Sequence, residues 1–367
     1  MLKSLRIENL TVFPKADFKF GKNLNIIIGE NGSGKSHILK AAYCAIAVSA
    51  KGAKDSASEV PTKAFLETAM ADKLRNVFKP DELGRLARRR SRGTHTCTIG
   101  YKFTPEKLGF DFQFSTSSKN QVKVNNQPGA WAEKLPVFLP TRELLTIMPE
   151  FVSLYETTHL PFEETWRDTC ILLAAPLARG PRESRIKEFL LPLEEAMGGS
   201  VEVGKSGRFY LNVATGNMEM HLVAEGLRKL ATIARLIATG SLLDKGYLFW
   251  DEPESNLNPR IIKTVAKTIL QVAASGIQVF IATHSLFLLR ELHILQKREG
   301  NKLDTRCFGL HIQDDGAVTV QQGKTMDDVG NITALDEDLQ QSERYIDTEM
   351  GVPLTMPNGD SPQTTEG

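Results

Sequence analysis

The stretch that most restricts how this 367-residue chain can fold is Asn25-Ile26-Ile27-Ile28, which runs directly into Gly29-Glu30-Asn31-Gly32-Ser33-Gly34-Lys35-Ser36 and then His37-Ile38-Leu39-Lys40-Ala41-Ala42. The isoleucine run reads as a strand buried on both faces, and the segment behind the glycines is made of good helix formers. Strand, glycine loop and helix in that order are the context that the pattern G-x-x-x-x-G-K-[ST] requires. The glycines let backbone N–H groups turn inward around phosphate oxygens at the positive end of a helix. Lys35 then reaches the β- and γ-phosphates, and the Ser36 hydroxyl binds Mg²⁺. Gly29 to Ser36, with His37 behind them, are the expected nucleotide-binding residues. A glycine-rich turn that matched by chance would need neither the strand nor the helix.

The second half of the chain supplies the partners for such a loop. Leu227, Leu230, Ala231, Ala234 and Ile237 fall at helical spacing, followed by an apolar strand over 247–250, a helix over 261–274 and another strand over 278–282. Helices between short apolar strands imply crossover connections and a parallel sheet. The first of these strands ends in Asp251-Glu252-Pro253-Glu254 and the second in Thr283-His284. Parallel sheets bind ligands at the carboxyl ends of their strands. Asp251 is placed to hold Mg²⁺, Glu252 to orient and deprotonate an attacking water, and His284 to lie close to a γ-phosphate.

With Ala224-Glu225-Gly226 and Ser255-Asn256-Leu257-Asn258-Pro259 added, this set resembles the head of an ABC-type ATPase. The resemblance is to the soluble SMC-like, RecF-like and OLD-like branch, and it covers roughly residues 1–44 and 220–320. It implies an α/β P-loop NTPase fold with a parallel core sheet, an antiparallel β-layer and a helical insert. It further implies a homodimer or higher homo-oligomer in which two heads sandwich ATP and Mg²⁺. Lys35, Glu252 and His284 are then the catalytic residues, and Ser36 and Asp251 the metal ligands. Glu225 and Gly226 would meet the nucleotide of the opposite subunit, while Asn256 and Asn258 communicate between sites.

Two positions depart from the family pattern. Ala224 stands where a serine is usual, which removes a phosphate hydrogen bond worth about 1.5–3 kcal/mol. Slow hydrolysis, assistance from Arg228 or Lys229, or an ATP-bound scaffold follow as alternatives. The usual glutamine after the mid-chain strand is also missing from Val137-Phe138-Leu139-Pro140-Thr141-Arg142-Glu143, leaving Arg142 or Glu143 as substitutes. The role implied is a switch acting on a separate effector, such as a nuclease in bacterial anti-phage defence, or else a RecF-like ATPase that clamps DNA.

The organisation expected is an ATPase core over 1–50 and 201–335, an insert over 51–200 and an acidic, unstructured tail over 336–367. Period-two spacing of Cys97, Ile99, Tyr101 and Phe103, then Phe110, Phe112 and Phe114, puts an antiparallel layer in the insert. Helical stretches are expected around it, with Pro161, Pro176 and Pro192 as interruptions. About 190 residues separate Lys35 from Gly226, too few for long coiled-coil arms.

Lys and Arg total 45 against 44 acidic residues, so bulk charge argues for nothing by itself. The balance is uneven, because residues 336–367 hold eight acidic residues and one Arg, a net of −7, which leaves +8 for residues 1–335. Positive charge gathers at Arg85, Arg88, Arg89, Arg90 and Arg92, where nucleic acid phosphates, an acidic partner or plain solvent are the readings. Cys44, Cys97, Cys170 and Cys307 are scattered without a C-x-x-C pair, which argues against a zinc site or a disulfide framework. With no run of eighteen apolar residues and no signal-peptide pattern, a cytoplasmic location away from membranes is expected.

Overall fold

The computed structural model describes residues 1–55, 58–89, 93–148, 150–158, 160–178, 183–298, 300, 303–331 and 333–350. The chain opens with β1 (Leu2–Leu10), β2 (Phe13–Lys19) and β3 (Leu24–Gly29), then α1 (Lys35–Asp55) and α2 (Lys63–Phe78). Next come β4 (Thr96–Phe103), β5 (Phe110–Ser115), β6 (Lys123–Asn126) and β7 (Pro136–Leu139), and the helices α3 (Glu150–Thr158), α4 (Glu164–Ala174) and α5 (Glu183–Met197). A small meander of β8 (Gly199–Val203), β9 (Phe209–Val213) and β10 (Gly216–Glu219) leads into α6 (Glu225–Ala238). The alternation β11 (Tyr247–Asp251), α7 (Pro259–Ala274), β12 (Gln278–Thr283), α8 (Leu286–Arg298), β13 (Thr305–Ile312) follows, then β14 (Val318–Gly323) and α9 (Thr333–Glu349).

The central sheet has the order β14-β13-β3-β12-β11-β7, parallel except for β14. Every residue of β3, β11 and β12 is buried, as their uninterrupted apolar runs require. Alternate residues of these strands enter different cores. Ile26, Ile28, Leu248, Trp250, Val279 and Ile281 pack against the helices that include α6 and α7. Ile27, Phe249, Phe280 and Phe308 face α1 and the antiparallel sheet, with Phe249 and Phe280 stacked at 4.7 Å. Each such buried ring contributes roughly 2–3 kcal/mol through the apolar area it removes from water.

The antiparallel sheet, β2-β1-β4-β5-β6, draws strands from both the expected core and the expected insert. β4 comes from within 51–200, yet it pairs along β1 with Leu5 opposite Tyr101 and Ile7 opposite Ile99. β7, also from that region, joins the central sheet beside β11. The physical reason is that a lone β1–β2 hairpin exposes an edge and an apolar face, and β4 to β6 cover both. Pro192 likewise does not interrupt α5 but lies inside it, in a helix held by packing against α6 and α7.

Within the expected tail, residues 336–349 belong to α9. Acidic Asp336 in its first turn suits the helix dipole, Ser342 and Thr348 donate to the carbonyls four residues back, and Glu337 pairs with Arg344 at 2.7 Å. Residues 351–367 lie outside the described residues. All four cysteines are buried free thiols. Among the described residues no helix is long and apolar enough to cross a membrane.

Candidate functional site

Gly29 ends β3 and Lys35 begins α1, so the glycine loop bridges the carboxyl edge of the sheet and a helix N-terminus. Gly32 and Gly34 adopt φ of 84° and 87°, a region that side-chain-bearing residues rarely enter. An added Cβ on Gly34 would also lie 2.7 Å from Val12 Cγ2. Inside the loop the Ser33 hydroxyl donates to the Glu30 carbonyl at 2.8 Å, closing the turn. Lys35 is buried, and its ammonium donates to the carbonyls of Gly29 and Glu30, each at 2.9 Å. Burial lowers its pKa, while Glu252, Asp251, Glu254 and Glu30 oppose that shift. Asn31 and Gly32 are exposed at the loop's crest. The His37 ring turns away toward Thr11 Oγ1, 2.9 Å from its Nδ1, and toward Phe78; burial and then Lys40 lower its pKa to about 4.

Asp251 ends β11, two strands from β3, with β12 between them. Its carboxyl is buried beside the Ser36 side chain, and its Oδ1 has no partner. Burial raises its pKa to about 6, against the pull of Ser36, Lys40 and Lys35. A buried, unsatisfied carboxylate oxygen beside a serine hydroxyl fits an Mg²⁺ ion, and each group supplies one oxygen of the kind that ion takes. Among the described residues no group of three or more His, Cys, Asp and Glu side chains is arranged to hold a metal by itself. The remaining ligands of Mg²⁺ would therefore be phosphate and water, which is how this ion is usually held.

Glu252 follows in the left-handed region with φ 47°, and its N–H donates to Ala282 of β12 at 2.9 Å. This bend sends its carboxylate toward His284, whose Nδ1 lies 3.5 Å from Oε1. Sequence reasoning passed over what stands behind this pair. Glu254 is buried and accepts from Thr283 Oγ1 at 2.5 Å and from the His284 N–H at 3.4 Å. It thereby locks the end of β12 that carries His284. Glu254 was visible in the sequence as a third carboxylate after β11, but only the β11–β12 pairing shows what it grips.

Glu225 and Gly226 open α6, whose cap residue Ala224 provides no side-chain hydrogen bond. Asn256, at φ 61°, donates from Nδ2 to Glu225 Oε1 at 2.8 Å. Lys229 is buried and donates to the carbonyl of Ser255 at 2.9 Å and to its hydroxyl. Asn258 caps α7, accepting from the Ile261 N–H at 3.0 Å.

The residues offered as substitutes are differently occupied. Glu143 sits 3.4 Å from Arg228 Nε and accepts from Thr146 at 2.6 Å, so it and Arg228 engage each other instead of facing the loop. Lys229 is committed to Ser255, and Arg142 is exposed. In the basic segment, Arg88 donates from its backbone to Asn9 and from its guanidinium to Val12, both at 2.8 Å, which pins it to the β1–β2 turn. Arg85 and Arg89 are exposed, and Arg90 and Arg92 lie outside the described residues.

Residues 98–290 match a family described as "AAA domain, putative AbiEii toxin, Type IV TA system", and residues 4–73 match a second described as "AAA domain". No curated protein sequence matches the chain. Among solved structures, it is similar to an Smc head bound to the C-winged helix domain of ScpA, at 13% identity and a TM-score of 0.56, covering 89% of this chain and 98% of that one. It is also similar to an Smc head domain with an extended coiled coil bound to the C-terminal domain of ScpA, from Pyrococcus furiosus, at 12% identity and a TM-score of 0.52, covering 94% and 99%. At these identities the likeness concerns the fold.

Proposed function

Since the chain belongs to the AAA domain family matched over residues 98–290 and folds as an ABC-type, SMC-like ATPase head, we propose that it binds ATP with Mg²⁺, joins two heads around the nucleotide and hydrolyses it slowly. The observation that carries this reading is the buried Asp251 carboxyl, with one unpartnered oxygen, beside Ser36 at the start of α1. Lys35 and the N-terminus of α1 bind and orient the β- and γ-phosphates. Ser36 and Asp251 would hold Mg²⁺, which when bound neutralises charge on the phosphate oxygens. Glu252 accepts the proton of the attacking water, and His284 steadies the Glu252 carboxylate and the γ-phosphate edge. Glu225, Gly226 and Asn256 form the face presented to the second head.

The output in this reading is control of a separate effector protein in the cytoplasm. The resemblance to OLD-like heads favours a nuclease of anti-phage defence. The Smc heads, solved with ScpA bound, are an example of this fold holding a protein partner. DNA clamping through the basic segment has less support, because Arg88 is consumed by the β1–β2 turn.

The test is Glu252→Gln beside Lys35→Ala. Glu252→Gln should keep ATP affinity, lower turnover by about 100-fold or more and prolong an ATP-dependent dimer, whereas Lys35→Ala should lose nucleotide binding. Unchanged turnover in Glu252→Gln removes Glu252 as the base. Undetectable turnover in the unmodified chain, with tight ATP binding retained, makes the protein an ATP-bound scaffold.

A further inference from the structure

On the flank of α7 away from the sheet lies a groove of about 880 Å³, between α5, α7 and α8. Its floor is apolar, with Met197, Leu227, Ile261 and Leu295. Its rim is basic: Arg260, Lys263 and Lys267 succeed one another along the exposed face of α7, and Arg298 stands opposite on α8. None of these four cations has a carboxylate within ion-pair distance among the described residues. Glu195 and Glu291 also line the groove.

α9 has the complementary surface. Leu339, Ile346 and Met350 recur at helical spacing and are 41%, 48% and 75% exposed. Carboxylates flank this stripe on both sides, with Asp336, Glu343 and Asp347 along one edge and Asp338 and Glu349 along the other. The one cation of the helix, Arg344, is turned to the back and paired with Glu337. α9 makes no substantial contact with any other element among the described residues, and none of its residues lines the groove. At about 1.5 Å per residue, α9 and α7 match in length, 17 residues against 16.

We propose that α9 of one copy of this chain docks in the α5–α7–α8 groove of a second copy. Its apolar stripe covers the floor and its two acidic edges meet the basic rim. A nucleic acid fits less well, because its phosphate backbone meets the basic rim but offers no apolar stripe for the floor. The docked helix touches Leu227, next to Gly226, and Asn258, two residues from Asn256. On the ATPase reading above, exchange of tails therefore bears on the face that meets the second head.

The experiment uses the full chain without nucleotide, so that its outcome is independent of the ATPase reading. Chains carrying Lys263→Cys are mixed with chains carrying Glu343→Cys and mildly oxidised; the native cysteines are buried and stay silent. A disulfide-linked pair is expected between the two chain types. Lys263→Glu with Lys267→Glu should weaken self-association in sedimentation by about tenfold or more, and a partner chain with Glu343→Lys and Asp347→Lys should restore it. A monomer at every micromolar concentration of the unmodified chain overturns the proposal. So does a cross-link confined within one chain carrying both cysteines. Loss of binding to a short DNA duplex in the Lys263→Glu, Lys267→Glu chain, with self-association unchanged, overturns it in favour of a nucleic acid groove.

Discussion

Asn256 and Glu225 are joined by a 2.8 Å hydrogen bond within one chain, tying the loop after β11 to the first turn of α6. The closeness of that contact explains the glycine between them. A Cβ at Gly226 would lie 2.9 Å from the Asn256 carbonyl oxygen and 3.1 Å from Leu257 Cδ2. Gly226→Ala must therefore push the loop away from α6, at a cost of about 1–3 kcal/mol. The expected outcome is a lower melting temperature together with loss of ATP-dependent dimerisation. Asn256→Ala should lose dimerisation with little change in melting temperature, because its side chain is at the surface.

Asp251 makes stability depend on pH with a definite sign. Burial raises its pKa to about 6, so the folded protein prefers the carboxyl neutral. Ionising it costs the fold progressively as pH rises from its unfolded value near 4 to about 6, and the cost is constant above that. Asp251→Asn should therefore raise the melting temperature of the nucleotide-free protein at pH 7.5 by about 3 °C and by much less at pH 4.5. Calorimetry at the two pH values checks this. The same variant should lose Mg²⁺-dependent nucleotide affinity.

Lys73 anchors a buried ionic cluster between α1, α2 and α4. Its ammonium lies 2.7 Å from Asp168 and 3.1 Å from Glu164, and Asp168 also accepts from Tyr43 at 2.6 Å. Burial alone would raise the Asp168 pKa, but Lys73 and Arg167 hold it below the ordinary value. Its contribution is thus present at neutral pH and lost as pH falls through that depressed pKa. Lys73→Met leaves Arg167 as the remaining cation beside both carboxylates, at 2.7 Å from Asp168 and 3.4 Å from Glu164, and should destabilise by about 3 kcal/mol. Tyr43→Phe removes one hydrogen bond to a charged group and should cost about 1.5–3 kcal/mol. Urea unfolding of the two variants separates these magnitudes.

His284→Ala leaves the loop, Lys35 and Asp251 untouched. Turnover should fall by about 100-fold while nucleotide affinity remains, as measured by fluorescent-nucleotide titration beside phosphate release. Equal loss of binding and turnover would assign His284 to nucleotide affinity instead.

What the sequence by itself determined is local: where strands end, where glycines free the backbone, and which charged residues sit at those ends. Ile26 to Ile28 before Gly29, and Tyr247 to Trp250 before Asp251, could be read because burial on both faces leaves an unbroken apolar run. The parallel sheet followed from the alternation of those runs with helices. Tertiary structure alone decided that β3 and β11 stand on either side of β12, which brings Ser36 to Asp251 and Glu252 to His284. It also decided that β4 to β6 complete a sheet begun by β1, so that a region resembling an insert is part of the scaffold. Glu254 under His284, and Glu143 held by Arg228, were equally illegible. Side-chain pairing between residues dozens of positions apart depends on sheet order and helix packing, and neither leaves a period in the chain.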